Sequence, residues 1–187
     1  MYQSIFYFQE SFVITMYKND YNEIQSQLAL PYLSSREGVL KGIFNILESK
    51  FNLVKKSKQS FIDLGSGNGI VVIYSGINYS IESIGIEINK NLIKEARDLI
   101  KSFNWRKRRC IKIVRGDLFQ QNLEKFDFIY IFSLPSMQKF LEHVFRTAKK
   151  GAVVISYKFP LSNMAELLKP AHKSKIENID VFFYIKS

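Results

Sequence analysis

The chain has 187 residues, 47% apolar and 24% charged, which excludes a disordered or fibrous polymer and suits one folded domain with its own core. A single cysteine, Cys110, excludes an intrachain disulfide framework and a thiolate metal cluster, and the expected setting is reducing and cytoplasmic. The net charge of +10 is uneven: the first 30 residues sum to −2, so the remainder carries +12.

The N-terminal run "SIFYFQESFVITMY", Ser4 to Tyr17, is broken by Gln9 and Glu10 and is shorter than the ~18–20 apolar residues of a spanning helix. It has no basic n-region and no small-residue cleavage site, so neither a membrane span nor a signal peptide is expected. Contact with a membrane interface and packing on the domain both stay open. Residues 1–29 read as an extension, helical or poorly ordered, and residues 30–187 as the folded domain.

In "LSSREGVLKGIFNILESKF", Ser34 and Glu37 have capping-box spacing, and Leu40, Phe44, Leu47 and Phe51 share one helical face. "SFIDLG" then reads as a strand and "NGIVVIYSGIN" as a short helix. "IESIGIE" is the next strand, followed by the helix "NKNLIKEARDLIKSF" with Leu92, Ala96, Leu99 and Phe103 on a common stripe. Three further strands, "CIKIVRGD", "FDFIYIFS" and "GAVVISYKF", follow, with Cys110 read as a small buried hydrophobe. "PSMQKFLEHVFRTAKK" reads as one helix between the last two, and "KIENIDVFFYIK" as an antiparallel hairpin or edge strand. Alternating strands and helices predict an α/β fold: a doubly wound, mostly parallel sheet with an antiparallel C-terminal strand.

Ligands of such sheets bind beyond the carboxyl ends of the strands, and three acids fall there. Asp63 ends the first strand, Glu87 the second, and Asp117 follows the third. Behind Asp63 the turn "GSGNG" places Gly65, Gly67 and Gly69 at alternate positions, which lets a ligand approach the backbone. Glu87 suits ribose hydroxyls. Asp117 suits an adenine amino group, and Ile88 and Leu118 are apolar enough to sandwich the ring. A dinucleotide fingerprint would need a third glycine at position 70, where the chain has Ile70. An acid at the first strand tip favours a cationic ligand over a pyrophosphate, and S-adenosylmethionine meets that description.

"DLGSGNG", "GIEINKNLIKEAR", "VRGDLF", "FSLP" and the late "KFP" resemble a class I S-adenosylmethionine-dependent methyltransferase of Rossmann-like fold. Within that superfamily they are most similar to the small protein-lysine methyltransferases of archaea and mitochondria, over roughly residues 30–185. The resemblance implies cofactor contacts from Asp63, Gly65, Ser66, Gly67, Asn68, Glu87, Ile88, Asp117 and Leu118, and a protein substrate with an accessible lysine. It also implies that Pro31 and Tyr32 close over the site opposite Ser133, Leu134 and Pro135, with Tyr32, Ser133 and Pro135 nearest the chemistry. Tyr32 reads equally as an aromatic staple on the helix start. Two departures stand out: Asn68 and Ile70 replace the family's acidic-then-arginine pair, and "LSNMAE" lacks an aromatic after Phe159-Pro160.

The basic run Lys101 to Arg115, with seven basic residues, no acid and Trp105 among them, leaves RNA as a partner and an RNA methyltransferase as the competing reading. A non-catalytic cofactor- or nucleic-acid-binding module is a third. His143 lies in a helical stretch without a carboxylate at metal spacing, and no metal site is expected.

Overall fold

The computed structural model describes residues 37–187; the expectations for residues 1–29, for Pro31 and Tyr32 and for the Ser34 cap lie outside them. The elements run α1 (Glu37–Lys50), β1 (Ser60–Leu64), α2 (Ile70–Tyr79), β2 (Glu82–Glu87), α3 (Lys90–Lys101), α4 (Trp105–Arg108) and β3 (Ile111–Arg115). Then come β4 (Phe128–Ile131), α5 (Pro135–Gln138), α6 (Glu142–Arg146), β5 (Val153–Tyr157), β6 (Leu168–Ile176) and β7 (Ile179–Lys186). One seven-stranded sheet has the order β3-β2-β1-β4-β5-β7-β6. The first five strands pair in parallel, while β7 runs antiparallel to β5 and β6.

The period of two along each strand explains why every residue of β1, β4 and β5 is buried. Phe61, Phe128, Tyr130, Val153 and Ile155 feed a core with Val39, Leu40, Ile43, Phe44 and Leu47 of α1. Their neighbours Ile62, Leu64, Ile129, Ile131 and Val154 feed the other face, against Leu141, Val144 and Phe145. Phe51, just beyond α1, stacks on Phe183 with ring centroids 5.5 Å apart.

Four local readings change. The buried stripe of α3 is Ile93, Ala96 and Ile100, while Leu99 is 40% exposed: helix and sheet meet one residue round from the expected stripe. "PSMQKFLEHVFRTAKK" is not one helix. It divides into α5 and α6, joined through tight bonds from the Phe140 N–H to the Met137 carbonyl and from the Leu141 N–H to the Gln138 carbonyl. The closing segment is an antiparallel hairpin, turning at Glu177 and Asn178 from the end of β6 into β7, and of its two expected forms only the edge strand fails: β7 is interior and the outer place belongs to β6. Cys110 is half-buried, its thiol directed at the Gly76 carbonyl.

Candidate functional site

The carboxyl ends of β1, β2, β4 and β5 lie side by side, since Asp63 pairs with Gly85 on one flank and Tyr130 on the other, and Ile131 with Ser156. Between β1 and α2 the chain turns at Gly65, Gly67 and Gly69, with φ of 82°, 54° and 78°. All three are left-handed, a region where a Cβ is strained, so the alternate glycines meet a backbone requirement.

That turn is laced to the tip of β2. The N–H groups of Gly65 and Ser66 both donate to the Ile86 carbonyl at 2.9 Å, and the Gly67 N–H donates to Glu87 Oε2 at 2.8 Å. Glu87 Oε1 accepts from the N–H groups of Ile88 and Asn89, each at 2.8 Å. A carboxylate has about four lone-pair positions. Three are taken by backbone donors, which holds the buried Glu87 side chain rigid and leaves one position on Oε2 for a further donor.

Asp63 is 3% exposed beside it. Burial, and then the charge of Glu87, push its pKa up to about 8. Among the described residues neither acid is in an ion pair. At neutral pH the unliganded site therefore keeps Asp63 mostly protonated, and a cation entering this well under the glycine turn would draw Asp63 into its charged form.

The other expected residues lie at or just beyond the carboxyl ends of the strands. Ser66 is buried, and its Oγ has no hydrogen-bond partner. Asn68 Oδ1 accepts from the Ile70 N–H at 3.4 Å, serving the start of α2 where Gly69 has no side chain to cap it. Ile88 is 41% exposed at the tip of β2, an apolar wall open to solvent. Asp117 Oδ1 accepts from the Phe119 N–H at 2.9 Å, holding a turn that includes half-buried Leu118 and leaving Oδ2 for another donor.

At the tip of β4, Ser133 is 1% exposed, and its Oγ has no hydrogen-bond partner among the described residues. Pro135 opens α5 from an exposed position. Phe132 lies edge-on to Tyr157 at 5.8 Å and stacked with Phe159 at 6.1 Å, so the neighbourhood is aromatic. Gln138 was not expected here. It is 2% exposed with Nε2 unpartnered, yet "PSMQKF" reads only as helix, and no sequence signal marks a glutamine that turns inward. Among the described residues no group of His, Cys, Asp and Glu is placed to hold a metal, and His143 Nε2 lies 2.7 Å from the Phe119 carbonyl oxygen.

Space beside the turn is tight. A Cβ on Gly85 would stand 2.5 Å from Ser66 Oγ, 2.7 Å from Ser66 Cβ and 2.9 Å from Ile113 Cδ1. Gly85→Ala should therefore cost about 1–3 kcal/mol by overpacking. Urea unfolding checks this: a lower midpoint at unchanged slope is expected, and an unchanged midpoint would show that the turn yields freely.

The strand order, the glycine turn and the acids at successive strand tips define a class I, Rossmann-like methyltransferase fold. The chain belongs to the ANTKMT methyltransferase domain family, whose profile matches residues 63–167, more than half of the chain. It is similar to the solved structure of an RNA methyltransferase from Salinibacter ruber in complex with S-adenosyl-L-homocysteine. Identity is 24%, coverage 82% of this chain and 94% of that one, and the TM-score 0.69. It is also similar to a precorrin-6y C5,15-methyltransferase from Geobacter metallireducens, at 17% identity, 84% and 92% coverage and a TM-score of 0.59. Among the described residues no helix is long and apolar enough to cross a membrane.

Proposed function

We propose that this methyltransferase uses S-adenosylmethionine to methylate lysine side chains of proteins. The residues present fit that methyl donor on two observations. Among the described residues no cation pairs with Asp63 or Glu87, and Ser66 Oγ in the turn has no hydrogen-bond partner. Bound there, S-adenosylmethionine supplies an electrophilic methyl group on a sulfonium.

The protein's own residues do the rest. Asp63 and Glu87 supply negative potential to a cationic ligand, and the remaining lone pair of Glu87 Oε2 accepts a ribose hydroxyl. Asp117 Oδ2 would accept from an adenine amino group, with Ile88 and Leu118 as the apolar side chains available to the ring. A lysine with pKa ~10.4 is neutral in only about one molecule in 2,500 at pH 7, so the acceptor site has to favour the free amine. Apolar burial does so by penalising the ammonium form. The aromatic surroundings of Phe132, Tyr157 and Phe159 provide that burial, and Ser133 Oγ accepts an amine N–H, leaving the nitrogen lone pair free to attack.

The observation that carries the lysine reading is this buried, unpartnered Ser133 hydroxyl in an aromatic strand tip, within a chain of the ANTKMT family. The test incubates the protein with isotopically labelled methyl donor and, in separate arms, native cell protein and total RNA. Methyl-lysine in hydrolysed protein is expected by mass spectrometry. Label in RNA alone would replace lysine with a base as acceptor, and label in neither arm would leave a binding module. Ser133→Ala should lower kcat about 10- to 100-fold with donor affinity unchanged.

A further inference from the structure

We propose that the β3 edge of the sheet, with α4 beside it, is a docking surface for single-stranded RNA, separate from the methyl-transfer site. Among the described residues β3 pairs only with β2, and its side chains alternate between Ile111 and Ile113 inward and Lys112, Val114 and Arg115 toward solvent or the rim. Ahead of it α4 exposes Trp105, Arg106 and Lys107, and Arg109 follows. Of the seven basic residues, Lys101 pairs with Asp98 and Lys112 with Glu82, while the Arg108 guanidinium donates to the Lys101 carbonyl. Arg106, Lys107, Arg109 and Arg115 have no carboxylate within 4.0 Å among the described residues.

Charge at a sheet edge ordinarily guards against edge-to-edge pairing, and Lys112 and Arg115 serve that purpose unaided. Trp105 does not fit that role. It is a large aromatic, 60% exposed, held on a turn that the Asn104 side chain caps by accepting from the Arg106 N–H at 2.9 Å. The Arg106 guanidinium lies over one face of the indole, 5.7 Å from its centroid, so a base would stack on the opposite face of this exposed ring. An open aromatic among unpaired cations is the combination that single strands use: phosphates on the cations, a base on the ring. Added peptide strands are disfavoured, because Arg97 Nη2 already donates to the Ile113 carbonyl, 3.0 Å away, in the middle of this edge. The strip runs along β3 for about 16 Å, at ~3.3 Å per residue, up to Arg115 opposite Glu87. A strand lying on it leads toward the donor site whatever the methyl acceptor is.

Trp105 is the chain's only tryptophan, so its fluorescence reports on this surface alone. Titration with a short oligouridylate at low salt should quench the emission saturably. The affinity should fall with salt along a logarithmic slope of about −2 to −3, as expected for three or four neutralised phosphates on a single strand. By anisotropy of labelled RNA, Trp105→Ala should weaken binding about tenfold at unchanged slope, and Arg106→Glu with Arg109→Glu should flatten the slope. Both variants change exposed side chains, and unchanged melting temperatures confirm folding. Absence of quenching, an unaltered RNA affinity in Trp105→Ala, or equal quenching by polyglutamate or by anionic phospholipid vesicles would each overturn the proposal.

Discussion

Asp63→Asn is expected to raise the melting temperature of the ligand-free protein at pH 8 while removing its tight binding of the methyl donor. Asp63 is buried, and its pKa is about 8 in the folded chain against 3.8 for the free side chain. Below pH ~4 the carboxyl is protonated in both states and costs nothing. Between about 4 and 8 the unfolded chain gives up the proton and the folded one keeps it, so this group lowers stability as pH rises, by at most about 1.4 kcal/mol per unit. Above 8 the loss is complete and amounts to a few kcal/mol. The asparagine variant escapes that loss. The gap between the two should close as the pH falls below about 4 and widen to several degrees at pH 8.

Ligand binding reverses the preference. A cation in the well favours ionised Asp63, so donor affinity should climb about tenfold per pH unit below 8 and then level. Calorimetry at pH 6.5 in buffers of different ionisation enthalpy should detect close to one proton released. Affinity independent of pH, with no proton released, would remove Asp63 from the site.

Glu87→Gln is expected to act in the opposite direction on stability and the same direction on binding. Three backbone N–H groups converge on the two carboxylate oxygens, and a glutamine amide offers only one acceptor oxygen. At least one donor is then left against an NH₂ group, at a cost of about 1–3 kcal/mol. The melting temperature should fall at every pH. The charge-assisted bond to the ribose is lost as well, so donor affinity should drop about 10- to 100-fold by equilibrium titration. Because Glu87 helps hold the Asp63 pKa up, the variant should also move the pH dependence of donor binding to lower pH. An unchanged donor affinity would contradict the role given to Glu87.

What could be read from the sequence is what local chemistry controls. β1, β4 and β5 are covered on both faces, so they appear as mostly apolar runs without the polar alternation of a half-exposed strand, and the three glycines answer a local backbone need. The acids at the strand tips follow from those boundaries. Features decided by a neighbour were not legible. Leu92-Ala96-Leu99-Phe103 and Ile93-Ala96-Ile100 are both acceptable helical stripes, and only the seating of α3 on β3 selects the second. β6 reads "LKPAHKSKI", because as the outer strand it buries little beyond Leu168; its polar, proline-containing run gives no strand signal. Ser66, Ser133 and Gln138 are ordinary polar residues whose burial depends on the packing around them. Glu87 was legible as an acid at a strand tip, but its three backbone bonds were not, since they exist only once β2 lies beside the glycine turn.

The interior position of β7 has a consequence for synthesis. Ribosomes deliver Ile179–Lys186 after every other strand, yet this segment alone bridges β5 to β6. A nascent chain halted ahead of it leaves the flank of β5 open and gives β6 nothing to pair with. The sheet therefore closes late, and a translating chain exposes a bare, apolar β5 margin until β7 arrives.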